Sequence, residues 1–189
     1  MALSIHVVAH RTTDAVLAAC TRGEGGTQAD LIAAIVGDAL PLSYGQITQP
    51  GIGRLSSIDA GQLVIEKVPG DPVVEIGNVL DAPFDFVITR DAQGQVQSLD
   101  KALPMTATVA GTTVTVTFPT PIDSTGRPGL IRLVDATNTA LDTTVTLRLA
   151  SLTNLNVGTA SVVAPPGTYK MLVLVKGFAA RVEETVKVT

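Results

Sequence analysis

The sequence predicts an α+β N-terminal region followed by an all-β sandwich. Three observations carry that expectation. Short Val- and Thr-rich runs recur at regular spacing through the second half of the chain, each bounded by Pro, Gly or Asp. The helix-like periodicities fall before residue 41. A Pro165-Pro166-Gly167-Thr168-Tyr169 turn signal feeds a long apolar run that ends at Val175. With 189 residues, 46% of them hydrophobic, the chain holds a sizeable core in one large or two small domains. The division expected is residues 1–100 as an α+β domain with two short helices and 101–189 as the sandwich, which begins as early as 72 on a wider reading.

In the first half, Leu3–Ala9 is β-branched and reads as a strand. Thr12 and Thr13 offer N-caps to a short helix over Asp14–Thr21, with Gly23 as its stop. Thr27 caps a second helix, Gln28–Leu40, in which Leu31, Ile32, Ile35, Val36 and Leu40 share one side. Pro41 follows it, and residues 41–61 are rich in turn formers. Strands are then expected at Gln62–Val68, Val73–Ile76, Phe84–Thr89 and Gln95–Leu99. The last two are joined by an Asp91-Ala92-Gln93-Gly94 hairpin turn.

The last third yields seven strands. They are Met105–Val109, the alternation of Val114, Val116 and Phe118, then Leu130–Val134, the alternation of Val145, Leu147 and Leu149, then Ser161–Val163, the run from Tyr169, and a final strand with Val182, Val186 and Val188 on one face. Tyr169, Met171, Val173 and Val175 share one face of the sixth strand, while Leu172 and Leu174 point to the other. A strand apolar on both faces is buried on both, either under the N-terminal half or against another subunit. In immunoglobulin-like sandwiches a Tyr near the start of strand F lies two residues before the second Cys. Tyr169 stands in that position and Met171 takes the place of the Cys, so the expected sandwich is Ig-like and cysteine-free at that site.

Catalytic chemistry is scarce. His6 and His10 are the two histidines, and in a strand their spacing spans about 13 Å at about 3.3 Å per residue, too far to share one ion. The single Cys20 lies in an apolar stretch and reads as a buried structural thiol, with no disulfide possible within the chain. Gly51-Ile52-Gly53 lacks the third glycine of a dinucleotide loop, and neither a P-loop nor a Gly-x-Ser-x-Gly elbow occurs. Asp71, Glu75, Asp81, Asp85 and Asp91 supply carboxylates, but at turns and edges where solvated charge is the ordinary role. The Asp91 and Asp123-Ser124-Thr125-Gly126 turns have too few oxygens for Ca²⁺ and read as Asx turns. The expectation is therefore no enzyme, with no catalytic residue, cofactor or metal.

Charge is split along the chain. Residues 1–100 hold 12 acidic and 5 basic side chains, and residues 101–189 hold 5 and 8, for a total of −4. That balance argues against a nucleic-acid partner. The split is either surface variation or the mark of a polar subunit whose ends attract neighbours in an array. Aromatics are 3% of the chain, with no Trp, so stacking platforms are few. Phe178, beside Gly177, is the aromatic expected to be exposed. The N-terminus lacks the features of a secretory signal and no run is long enough to span a membrane, so the expectation is synthesis in a host cytoplasm and no membrane partner.

The order of the Phe84–Thr89 strand, the Asp91 turn, the alternating strands, Pro-Gly-Thr-Tyr and a terminal Val-rich strand resembles Ig-like modules on bacteriophage particles, over roughly residues 72–189. Such modules occur on capsid decoration (cement) proteins and on tail and baseplate proteins. The resemblance implies a homo-oligomeric structural protein of the virion whose partners are the major capsid protein or other virion proteins. Capsid decoration is the leading expectation. A tail or baseplate component, or a carbohydrate- or cell-surface-binding sandwich, is the alternative. The segment 13–40 lies outside the module and is expected to dock to the shell.

Overall fold

A computed structural model describes residues 4–22, 39–42, 56–68, 76–123, 127–134, 140–151 and 154–189. These residues form mostly β-strands in several antiparallel sheets, with very little helix. The chain divides into two compact units. The first comprises Met1–Leu40, Ile58–Leu103 and Gly177–Ala180, and the second comprises Pro41–Ser57, Pro104–Lys176 and Arg181–Thr189.

The first unit starts with β1 (Ser4–His10) and β2 (Val16–Arg22). The helix expected over Asp14–Thr21 is instead strand. Its Ala18-Ala19-Cys20 stretch suits a helix locally, but β2 pairs antiparallel with β1 from Ser4↔Arg22 to Val8↔Ala18, and that ladder decides the conformation. Cys20 therefore stands opposite His6 on a strand. Of the second expected helix, Gln28–Asp38 lies outside the described residues, and Ala39 and Leu40 open β3 (Ala39–Leu42), which pairs with β4 (Ser56–Asp59). β5 (Leu63–Val68) adds to the other edge of β1, giving the order β2-β1-β5.

Val73–Glu75 of an expected strand lie outside the described residues, and Ile76 opens the short helix α1 (Ile76–Asp81). A 3-10 turn at Pro83–Asp85 replaces the expected start of the next strand, because Pro83 fixes φ at its first position. β6 (Phe86–Arg90) and β7 (Val96–Lys101) then form a hairpin. Its turn is the expected one: the Asp91 carboxylate accepts N–H bonds from Gln93 and Gln95 at 2.9 and 2.8 Å, and Gly94 takes φ +80°. Val7, Val16, Val79, Ile88 and Leu99 belong to one buried cluster of this unit. The Gly177–Ala180 segment belongs here through Ala179 N–H to Leu103 O and Ala180 N–H to Phe84 O, each 3.1 Å.

The second unit carries seven strands in this region, six of them where the sequence places them; the expected strand Ser161–Val163 meets the observed one only at Ser161, and Val162 and Val163 lie beyond it. The seven are β8 (Thr106–Ala110), β9 (Thr113–Thr117), β10 (Arg127–Val134), β11 (Ala140–Ser151), β12 (Asn154–Ser161), β13 (Gly167–Val175) and β14 (Arg181–Val188). Their order in the sheet is β14-β13-β10-β11-β12-β9-β8, and the two end strands approach each other. β11 serves two neighbours: residues 140–147 pair with β10, and Arg148 to Ser151 pair with β12 across an irregularity in register. β12 begins well before the expected Ser161. Asn154, Asn156 and Gly158 are poor strand formers, so pairing with β9 and β11 rather than propensity sets its extent.

The centre of this sheet is buried on both sides and is apolar there except for Arg132. Ile131 and Leu133 of β10 stand opposite Val173 and Met171 of β13, all at most 1% exposed. On the other face Leu130 stands opposite Leu174 and Arg132 opposite Leu172, and all four are at most 2% exposed. Leu172 and Leu174 are thus fully covered within one chain, and a second subunit is not needed to bury them.

Tyr169 sits at the start of β13, buried, and its hydroxyl donates to Pro165 O at 2.8 Å. A Cβ on Gly167 would lie 3.2 Å from the Tyr169 ring, so the glycine leaves room for that packing. Tyr169→Phe keeps the ring and deletes the bond. A loss of about 1 kcal/mol is expected, read as a lower midpoint in urea with an unchanged slope.

Candidate functional site

A polar cluster lies in the first unit, at the turn joining β1 to β2. Asp14 has φ +57°, a left-handed conformation that Asp tolerates better than most residues. Its N–H donates to His10 O at 2.9 Å and its carbonyl accepts from Ile88 N–H at 3.0 Å. Ala15 bridges Val87 in antiparallel sense. The turn is thereby stitched to β6.

Arg90, at the end of β6, donates from Nε to Asp14 Oδ1 at 2.7 Å, from one terminal nitrogen to Glu66 Oε1 at 2.9 Å, and from the other to Gly94 O at 3.1 Å. The Asp14 side chain is 7% exposed, against 23% for Arg90 and 20% for Glu66. Burial pulls the Arg90 pKa down. Hydrogen bonds and charge from Asp14 and Glu66 outweigh it and hold the guanidinium above its ordinary value. Beside this triad, His10 Nδ1 lies 3.0 Å from Thr13 Oγ1 and 3.3 Å from Thr12 Oγ1. Arg11 clasps the turn at residues 60–62 through Gly61 O and Leu63 O.

This arrangement is suited to holding a hairpin rather than to proton transfer. The Asp14 carboxylate is engaged by a permanent cation, and the Arg90 donors end on protein oxygens. Sequence reasoning did not single out Asp14, Glu66 or Arg90 as a cluster, because they meet only where the β2-β1-β5 sheet touches β6 through the Ala15–Val87 bridge.

The residues weighed from sequence fall as follows. His6 and His10 lie on β1, with His10 buried, and His6 Nδ1 is a buried atom without a hydrogen-bond partner. Asp81 and Asp85 are exposed, Asp91 serves its own turn, and Asp71 and Glu75 lie outside the described residues. Residues 124–126 of the Asp123 turn also lie outside them. Among the described residues no group of three or more His, Cys, Asp or Glu side chains is placed to hold a metal ion. No helix among them is long and apolar enough to cross a membrane.

Phe178 corrects an expectation. It is 3% exposed rather than open to solvent, because its backbone bridges Leu103 in the first unit. Phe86, Phe118 and Tyr169 are buried too, Phe84 is half-buried, and Tyr44 lies outside the described residues. Among the described aromatics Phe84 alone is not buried. No family model, curated protein or solved structure matches this chain.

Proposed function

We propose that this protein is a non-enzymatic structural component of a bacteriophage virion, one that decorates a capsid and binds neighbouring capsid subunits. The observation that carries the reading is the strand order of the second unit. Taken as A-B-E-D and C-F-G, the Ig-like sandwich order corresponds to β8-β9-β12 with the end of β11, and to β10-β13-β14. Tyr169 then falls near the start of strand F, bonded to backbone upstream, with Met171 two residues on. An Ig-like module of this kind is what the resemblance to phage particle proteins implies.

The charge division supports the same reading. The first unit holds 12 acidic and 5 basic residues and the second 5 and 8, the same totals as residues 1–100 and 101–189 although the boundaries differ. Copies in an array gain from placing unlike units side by side. The buried aromatics weigh against a carbohydrate-binding sandwich, whose sugar sites need exposed rings.

Light scattering of the purified protein, alone and mixed with intact or empty virus-like particles, tests the proposal. Stoichiometric binding to particles is the expected result, weakened by salt if charge complementarity contributes. Absence of particle binding at any ionic strength would overturn it.

A further inference from the structure

We draw no further inference here: the strongest candidate, the cross-strand row of Cys20, His6 and Lys67 in the β2-β1-β5 sheet, rests on a lone cysteine, and the unpartnered His6 Nδ1 beside it belongs to a residue that is only half-buried and does not by itself point to a ligand.

Discussion

Arg90→Ala is expected to destabilise the protein by about 3–5 kcal/mol, an effect at the scale of breaking a buried ion pair by removing one partner. The loss does not come from the attraction alone, which solvent weakens at a guanidinium 23% exposed. It comes chiefly from what remains: an Asp14 carboxylate 7% exposed without its cation, on a residue held at φ +57°. The same substitution frees Glu66 and removes the bond to Gly94 O that braces the β6–β7 turn. Amide exchange localises the damage. Ile88 N–H, which donates to Asp14 O, should lose protection, while amides of β10 and β13 keep theirs. In an Asp14→Asn background the cost of Arg90→Ala should shrink, since no buried charge is stranded, and a double-mutant cycle reads the difference. The raised Arg90 pKa sets the pH window. Its contribution is fully present below the ordinary arginine range and is lost only as pH rises through the folded value, so this group adds no pH dependence near neutrality. Equal losses in both backgrounds would show that the pairing with Asp14 does not hold the turn.

Six strands of the second unit were legible because local signals agree with tertiary pairing there. Val114 and Val116 alternate with threonines, and the buried and exposed positions follow that alternation. Pro165-Pro166-Gly167 marks a turn, and Tyr169 acts as its position predicts, bonding back to Pro165 O. β12 was not legible: the expected strand begins at Ser161, the last residue of the observed one, because Asn154, Asn156 and Gly158 carry no strand signal.

The N-terminal region was misread for the opposite reason. Asp14 to Cys20 offers an acidic start and an alanine-rich run, a plausible helix taken alone. The deciding facts are non-local: a partner strand on β1, a left-handed Asp14 and an arginine from β6. Phe178 failed likewise. Its place beside Gly177 reads as an exposed turn, and only the bridge to Leu103 buries it. The polar cluster was invisible to motif reasoning because its members share no spacing. Glu66 and Arg90 sit on strands and Asp14 on the turn between two others, an adjacency no short window contains.

Phe118→Ala is expected to cost about 3–5 kcal/mol, the range for emptying a buried aromatic site. The chain has four phenylalanines and no Trp, so one ring is a large share of the bulky core volume. Phe118 is 1% exposed and directly follows β9. Its backbone is fixed independently of the ring: its N–H donates to Asn156 O at 2.8 Å, and its carbonyl accepts from Asn156 Nδ2 at 3.3 Å. Those bonds survive the substitution and limit how far the chain can collapse into the void, which pushes the cost towards the upper end. Phe118→Leu retains most of the volume and should cost less than about 1.5 kcal/mol. Urea unfolding followed by far-UV circular dichroism reads both. The two variants together separate ring volume from backbone placement: equal and small losses would mean that the β9–β12 backbone bonds, not the filled site, hold this end of the sheet.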